Sequence, residues 1–335
     1  MTVTETLQPD FEPALRRIVG DDARCTAATL IPGGASKESW CVDAVVDGSP
    51  LPLLVRRDAA NSAGADSGAV DLQTEYALLR AVHAAGVKVA RPWGVTDDLD
   101  GRPAVIMDRL EGTSIGPRVV RSSSLATARE QLPQQLAEAL AGIHSVPLNQ
   151  LPPLPGRDEQ AHPALAGVTR LRRELDRADE AHPAIELGLT WLHEHAPRDV
   201  ERTLVHGDFR IGNLMIDEHG LAGVLDWELA HVGNPAEDLG WPLIRAWRFG
   251  QDHLRLGGTG EVEPFLEHYN QLSGRQLTPA DLFYWELMGN VRWAVICVMQ
   301  SRRHLEGSEA DMELAVLGRI TAEVEREIIH LLEQA

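Results

Sequence analysis

The residues best suited to chemistry lie in one stretch, 204–228, where polar side chains alternate with short apolar runs. Asp208, Asn213 and Asp226 each lie close to such a run, which reads as a strand. Loops at the ends of neighbouring strands can bring these three side chains into one cleft. Two carboxylates and an amide oxygen are ligands that Mg²⁺ prefers, with water and substrate phosphates completing the shell. A carboxylate held nearby without a metal bond could instead accept a proton from an attacking hydroxyl.

The spacing in this stretch resembles that of a known family. His206-Gly207-Asp208 followed by Asn213 gives the order H-G-D-x-x-x-x-N, and Asp226 ends the next hairpin. This set is similar to the motifs of the aminoglycoside phosphotransferase and choline kinase-like family, which shares the protein-kinase fold. The resemblance implies that Asp208 is the catalytic base or hydroxyl orienter and that Asn213 and Asp226 bind Mg²⁺. It also implies that His206 braces the loop from beneath.

The finer form of the motif narrows the resemblance. The runs 206–213, 225–228 and 233–239 are more similar to the kinase-like domains associated with acyl-CoA dehydrogenases than to many antibiotic kinases. This implies a phosphotransferase that uses ATP and Mg²⁺ to phosphorylate a hydroxyl of a small molecule. Asp238 is expected to brace the catalytic loop by accepting backbone N–H groups. Glu228 is expected to contact substrate or metal, or to form a salt bridge.

The cation at the nucleotide end departs from the family pattern. Kinase-like folds carry a lysine on the third strand, paired with a helix glutamate, but here that strand contains Arg56 and Arg57. The only lysines in the sequence, Lys37 and Lys88, lie elsewhere. Alternation places the two arginines on opposite faces, and motif alignment favours Arg56 as the inward one, with Glu75 as its partner. Arginine binds phosphate through its planar guanidinium, so Arg56 could replace the lysine. The alternative is that Arg56 lies at an edge of the sheet and faces solvent.

The segment 32–39 is predicted to form the hairpin over the nucleotide phosphates. Its two glycines, Gly34 among them, permit close approach of backbone amides, and Ser36 or Lys37 could contact an oxygen. No Walker or G-x-G-x-x-G motif is present, so a plain hairpin turn is the competing interpretation.

The junction of the two predicted lobes, near residues 107–112, resembles the kinase hinge. The resemblance implies that the carbonyl of Asp108 and the amide of Leu110 face adenine and that Met107 lines the pocket. All three are assigned as nucleotide-binding residues.

The elements that must position these residues divide into two groups. Before residue 110 the patterns predict strands around one helix, with strands at 26–31, 39–46, 51–57, 93–96 and 104–107 and the helix at 72–85. After Gly112 they predict helices at 126–145, 165–181, 185–195, 280–305 and 312–332. The expected fold is therefore α+β and protein-kinase-like. A small antiparallel sheet lobe (1–110) binds nucleotide, and a larger helical lobe (111–335) carries the catalytic loop and acceptor site.

Composition excludes several classes of protein. The formal charge is −19, from 31 basic and 50 acidic residues, which argues against a surface for nucleic acid or an anionic membrane. The three cysteines lack disulfide or metal spacing, and the start lacks the pattern of a signal peptide. The best apolar stretch, 288–299, contains Asn290 and Arg292 and is too short to span a bilayer. These features predict a cytoplasmic protein; they leave its oligomeric state undetermined.

The acceptor stays open at this point. One group of acidic residues lies in the predicted helical lobe: Glu174, Asp176, Asp179 and Glu180. If this group faces the site, it favours a cationic acceptor such as an aminoglycoside; the alternative is that it is only the solvated face of a helix. Arg292 lies near Trp285 and Trp293, and this group favours an anionic or acyl-chain acceptor. Such an acceptor would be a metabolic hydroxyl compound, for example a hydroxyacyl derivative. The alternative is that Arg292 forms a buried structural pair. The alternative function, motivated by the missing strand lysine, is a non-catalytic nucleotide-binding pseudokinase. A metal-dependent hydrolase using His206 ranks lower.

Overall fold

A computed structural model describes residues 8–31, 37–58, 69–157, 162–198, 201–308 and 311–335. The first part of the chain begins with helix α1 (Glu12–Ile18), and helix α2 (Leu72–Ala84) follows the third strand. Five strands form one antiparallel sheet in the order β1-β2-β3-β5-β4: β1 (Arg24–Ile31), β2 (Lys37–Val46), β3 (Ser49–Asp58), β4 (Pro92–Leu99) and β5 (Arg102–Asp108).

Alternation of side chains gives this sheet two buried faces. On one face Val55 packs in a cluster with Phe11, which lies just before α1. On the other face Met107 packs in the larger core that includes residues of α2. Because successive strand residues point to opposite faces, Arg56 lies on the α2 side, whereas Arg57 is buried on the α1 side and pairs with Glu38.

The rest of the chain is mainly helical, with a short β-structured insert between α6 and α7. The helices are α3 (Gly116–Arg121), α4 (Ala126–His144), α5 (Pro163–Ala178), α6 (Pro183–Glu194), α7 (Pro235–Gly240), α8 (Val262–Ser273), α9 (Pro279–Leu305) and α10 (Met312–Leu332). The insert contains β6 (Thr203–Val205), β7 (Leu214–Asp217), β8 (Gly220–Val224) and β9 (His231–Gly233). In the described part of the chain, no helix is long and apolar enough to cross a membrane.

Helix α9 is the centre of the helical lobe. It begins with a capping box in which Thr278 and Asp281 exchange side-chain to backbone hydrogen bonds. Helices α5, α6, α7 and α10 pack around it. Helix α7 comes especially close, since a Cβ placed on Gly240 would lie 2.6 Å from the Trp285 backbone. This close packing fixes α7, which carries residues of the site, against the core.

The chain crosses between the lobes at Gly112, where φ is +132° and a Cβ would lie 2.5 Å from the carbonyl oxygen of Ile216. Next to it Thr113 and Ile216 exchange backbone hydrogen bonds of 2.8 and 3.0 Å. The predicted α+β fold, a sheet lobe followed by a helical lobe, is confirmed; the boundary at residue 110 stays a prediction.

Candidate active site

Two short hairpin-like pairs form the floor of the site. Strand β6 pairs with β9, and β7 pairs with β8, so the loop 206–213 lies between the two pairs. Gly207 in this loop has φ +80°, and a Cβ there would lie 2.4 Å from the Leu229 carbonyl oxygen, so only glycine fits. Leu225 donates its backbone N–H to the carbonyl of Asn213 at 2.8 Å. These contacts bring Asp208, Asn213 and Asp226 to one side of the floor.

Three donors hold the carboxylate of Asp208. Its Oδ1 accepts from Trp241 Nε1 at 2.7 Å and from Arg210 Nε at 3.1 Å. Its Oδ2 accepts a short hydrogen bond from Asn213 Nδ2, which also donates to the Asp208 carbonyl at 3.0 Å. The carboxylate therefore has a fixed orientation, as a group that accepts a proton in a defined geometry requires.

The buried carboxylate of Asp238 braces the loop from below. It accepts the backbone N–H of His206 at 2.7 Å and that of Gly207 at 2.9 Å, as predicted from the sequence. His144 Nε2 lies 3.2 Å from Oδ2, the same oxygen that accepts the N–H of His206, and the Tyr269 hydroxyl contacts the second ring nitrogen of His144 at 2.7 Å. Burial alone would raise the pKa of Asp238, but the hydrogen bonds from His144 and the backbone outweigh it and lower that pKa.

His206 connects the loop to the strand that precedes Asp226. Its Nδ1 accepts the backbone N–H of Asp208 at 3.2 Å, and its Nε2 lies 2.8 Å from the carbonyl oxygen of Leu225. The first contact requires a bare nitrogen and the second a protonated one, which selects the Nε2–H tautomer. The side chain is fully buried and acts as the structural brace that the motif implied.

Arg292 supports the loop from α9. It donates to the Gly207 carbonyl at 2.8 Å, stacks over the ring of Trp241 at 4.5 Å, and lies 3.8 Å from Glu237. Burial lowers the pKa of this guanidinium, with Glu237 and Asp208 acting in the opposite direction. Of the two roles considered from the sequence, the geometry is that of the buried structural pair.

The oxygen atoms that could hold a metal come from Asn213 and Asp226. Because Asn213 directs its amide nitrogen to Asp208, its Oδ1 stays available, and no donor from the described residues reaches it. Asp226 has a left-handed backbone conformation, with φ +59°. Its Oδ1 accepts a hydrogen bond from Arg56 Nη2 at 3.0 Å, which leaves Oδ2 available. Nowhere in the described ranges do three His, Cys, Asp or Glu side chains form a metal-binding group. The donor set therefore fits an ion such as Mg²⁺, which takes few protein ligands and completes its shell with water and phosphate.

Five charged side chains meet beside α2, at the end of the cleft where the sequence predicts nucleotide contacts. The buried Glu75 of α2 binds Arg56 Nη1 through Oε1 at 2.7 Å and Lys37 Nζ through Oε2 at 2.6 Å. Lys37 also lies 3.3 Å from Glu228, and Arg56 holds Asp226. Arg56 is mostly buried, so the alternative of a solvent-facing edge is wrong. Glu228 forms the salt bridge that was one of its two predicted roles.

The pKa values at this cluster reflect its crowding. Burial would lower the pKa of Arg56, but Glu75 and Asp226 outweigh it and raise that pKa. Burial raises the pKa of Glu228, and the neighbouring carboxylate of Asp226 raises it further against the opposing effect of Lys37. An additional cation near these two carboxylates would therefore be favoured electrostatically.

The remaining residues predicted to contact the nucleotide fall into two groups. Gly34 and Ser36 lie outside the described residues. The others lie at the junction of the lobes. Met107 is buried, Asp108 accepts Trp93 Nε1 at 2.6 Å, and Leu110 packs against Gly223 of β8. The contacts of these residues with adenine stay predictions.

Sequence reasoning did not identify several residues of the site. Trp241 and Arg210 contact Asp208, and Trp247 packs over Arg210 at 4.4 Å and against Trp241 at 5.7 Å. Trp293 of α9, which the sequence already indicates as part of an acceptor site, extends this aromatic group and lies 4.9 Å from Trp247. Arg210 lies within the motif run 206–213, only two positions after Asp208, whereas Trp241 and Trp247 come close to Asp208 only in the folded chain, where no motif spacing reveals them.

Residues 27–283 match the model of a family described as the phosphotransferase enzyme family. The chain belongs to this family. The loop 206–213 and the side chains of Asp208, Asn213 and Asp226 lie within the matched region of this phosphotransferase.

Solved structures share the fold of this phosphotransferase. A protein of Ralstonia eutropha JMP134, provisionally assigned as an aminoglycoside phosphotransferase, superposes with a TM-score of 0.77 at 21% identity, covering 98% of this chain and 99% of that one. Spectinomycin phosphotransferase, solved with ADP and spectinomycin, superposes with a TM-score of 0.66 at 14% identity, covering 99% and 100%. At these identities the likeness shows the fold alone.

Curated relatives include acyl-CoA dehydrogenase family member 10 of Mus musculus, 27% identical over 271 residues, which are 75% of this chain and 24% of that protein. Acyl-CoA dehydrogenase family member 11 of Gallus gallus is 32% identical over 200 residues, 57% of this chain and 25% of that protein. The chain thus matches about a quarter of the length of these relatives. The resemblance inferred from the motif runs is confirmed.

Proposed function

We propose that this phosphotransferase transfers the γ-phosphate of ATP to a hydroxyl group of a small molecule, with Mg²⁺ as cofactor and in the cytoplasm. The observation that carries the proposal is the convergence of Asp208, Asn213 and Asp226, with Asp208 oriented by three donors and the two others retaining free oxygens. Phosphoryl transfer depends on positioning and on neutralising charge, and this arrangement supplies both.

In the proposed reaction the acceptor hydroxyl donates its proton to Asp208 as its oxygen attacks the γ-phosphorus. The bond between that phosphorus and the bridging oxygen of ADP breaks, and ADP leaves with the electron pair. Asn213 and Asp226 would hold Mg²⁺, which when bound neutralises charge on the phosphates. Arg56 and Glu75 belong to the nucleotide end, and Met107, Asp108 and Leu110 would line the adenine pocket.

The surroundings of Asp208 favour an acceptor that is not a polycation. Glu174 lies 4.0 Å from Arg170, and Glu180 lies 3.6 Å from Arg302, so part of the acidic group is already paired. Its other members, Asp176 and Asp179, are exposed, as on a solvated helix face. The side chains that contact the Asp208 carboxylate are Arg210, Trp241 and Asn213, none of which is acidic. These observations support a metabolic hydroxyl compound, such as a hydroxyacyl derivative, over an aminoglycoside.

The test is turnover of the purified protein with ATP, Mg²⁺ and a panel of hydroxyl compounds that includes aminoglycosides, homoserine and hydroxyacyl derivatives. We expect ADP and a phosphorylated acceptor, identified by mass spectrometry, in equal amounts, and no product when EDTA removes the metal. Nucleotide binding without transfer to any acceptor would instead support the pseudokinase. Mg²⁺-dependent release of phosphate without an acceptor would support a hydrolase.

A further inference from the structure

The register of the sheet places a second cation beside Arg56. Ser39 of β2 lies directly opposite Arg56 of β3, and Lys37, two residues earlier, lies on the same face. Both cationic side chains therefore point toward α2. The strand predicted at 39–46 in fact begins at Lys37, so this lysine is part of the sheet rather than of the preceding loop.

Glu75 divides its carboxylate between the two cations. Oε1 binds Arg56 at 2.7 Å and Oε2 binds Lys37 at 2.6 Å, while Glu75 itself is 1% exposed. The helix glutamate that pairs with a single strand lysine in kinase-like folds thus holds two cations from two different strands.

The two cations differ in what else they hold. Arg56 spans two carboxylates, with Nη1 on Glu75 and Nη2 on Asp226, so its planar fork is held at both ends. Lys37 has three donor hydrogens. Within the described residues it makes one hydrogen bond, to Glu75, and an ion pair with Glu228 at 3.3 Å. Among the contacts of the described residues, the Lys37 ammonium therefore keeps donor hydrogens for a further partner. Arg56 also keeps unbonded N–H groups, but both of its Nη atoms are already bound to carboxylates of the protein.

We propose that Lys37 of the second strand binds the β- and γ-phosphates of the nucleotide in place of the usual third-strand lysine. Arg56 is then a positioning residue that holds Glu75 and Asp226. This inference rests on the proposed function, because it concerns the nucleotide of that same site. The described cluster has two positive and three negative side chains, so its charge becomes favourable for phosphates only when a divalent cation joins Asp226.

The sequence offers a clean test, because Lys37 and Lys88 are its only lysines. ATP and GTP derivatives with an acyl group on the γ-phosphate react with a lysine near the phosphates. The amine nitrogen attacks the acyl carbon, an amide forms, and the nucleotide leaves while the amine proton passes to solvent. With Mg²⁺ and the unmodified chain, we expect mass spectrometry to find the acyl group on Lys37, blocked by excess ATP or GTP, and none on Lys88.

A fluorescent ADP displacement assay run in parallel measures whether nucleotide binds. Bound nucleotide without acylation of Lys37, or acylation that excess nucleotide does not block, would overturn the inference. Absence of any nucleotide binding would overturn both the inference and the proposed function. If phosphate is transferred to an acceptor but Lys37 is not acylated, only the inference is contradicted. If Lys37 is acylated and excess nucleotide blocks this reaction, but no acceptor receives phosphate, only the proposed function is contradicted.

A variant provides an independent arm. Lys37→Met is expected to raise the Kd for ATP about 10- to 100-fold, as for the loss of a charged hydrogen bond. It should leave the Kd for AMP, which lacks the β- and γ-phosphates, unchanged. Lys88→Met is the matched control, because Lys88 donates to the Leu221 carbonyl and not to the cluster around Glu75. It should change neither the Kd for ATP nor the Kd for AMP. Equal weakening of ATP and AMP binding by Lys37→Met would indicate a merely structural role and contradict the inference.

Discussion

The three donors on Asp208 come from different parts of the chain. Asn213 and Arg210 belong to its own loop, whereas Trp241 follows α7. The indole N–H has one direction and cannot rotate as a hydroxyl does, so it fixes one carboxylate oxygen while the amide fixes the other. The same ring is covered by Arg292, which also binds the loop backbone. In the proposed reaction, Trp241 is therefore a positioning residue that acts through Asp208.

Replacing Trp241 with phenylalanine should test this role. The variant keeps most of the aromatic packing but removes the donor to Asp208 Oδ1, so we expect kcat to fall about tenfold while the Kd for nucleotide stays unchanged. Steady-state kinetics and nucleotide titration give the two values. Trp40→Phe is the matched control, since Trp40 Nε1 has no hydrogen-bond partner among the described residues and Trp40 lies on the far face of the sheet. An equal loss of kcat in both variants would contradict the assigned role.

At this scale the sequence predicts what is local. Asp208 and Asn213 are five positions apart in one loop, and Asp226 ends the hairpin that follows, so spacing was enough to group them. Trp241 lies 33 positions from Asp208, and His144 lies 94 positions from Asp238. Contacts of that separation depend on tertiary packing, which no local pattern encodes.

Among the elements, β9 and α7 decide how the loop is held. Strand β9 pairs with β6, the strand that leads into the loop, and α7 carries Asp238 beneath it. His231 of β9 lies 3.2 Å from Glu237 of α7, which ties the two elements together. Burial would lower the pKa of His231, but Glu237 outweighs it and raises that pKa. The pKa of Glu237 is lowered, since His231 outweighs the effect of burial.

This pair predicts a pH dependence of stability. A histidine whose pKa is higher in the folded state stabilises fully below its unfolded pKa of about 6.5, and the contribution is lost as pH rises through the folded pKa. We therefore expect the free energy of unfolding to decrease from pH 6.5 upward, as measured by urea denaturation across a pH series. His231→Gln should flatten that decrease. A slope that persists unchanged in the variant would show that another group causes it.

Most of the long helices were predictable from the sequence, and the shortest helices were not. The predicted helix at 312–332 has the observed bounds, and the others agree to within three residues, because each carries several turns of apolar spacing. Helices α3 and α7 have six residues each, too few for a period to show. Helix α8 was missed although Val262, Phe265, Leu266 and Tyr269 follow helical spacing and are buried. Its signal was present in the sequence.

For the whole molecule, the cluster of five charged side chains around Glu75 is where the two lobes are joined. Lys37 and Arg56 from the sheet lobe pair with Glu228 and Asp226 from the helical lobe. A backbone hydrogen bond of 2.8 Å from Val70 to the Glu228 carbonyl adds to this connection. The overall charge of −19 is not the guide to the substrate, since the charges that matter are these few at the cleft.

Ligand binding at this junction should stabilise the whole chain. At a concentration of ATP about 100 times its Kd, with Mg²⁺, we expect a gain of about 2.7 kcal/mol in the free energy of unfolding. Because the cluster is net negative without metal, ATP with EDTA should give much less. Thermal unfolding with ATP and Mg²⁺, with ATP and EDTA, and with Mg²⁺ alone measures this. Equal stabilisation with and without metal would contradict the metal site at Asn213 and Asp226.

The most direct test of phosphoryl transfer through Asp208 compares the chain with its Asp208→Asn variant, using the best acceptor from the panel. Asparagine keeps the shape but cannot take the hydroxyl proton, so we expect kcat to fall by about 10²- to 10⁴-fold while the Kd for ATP stays within about twofold. Rapid-quench measurement of phosphorylated acceptor gives the rate, and nucleotide titration gives the Kd. An Asp208→Asn variant that transfers phosphate at the original rate would contradict the account.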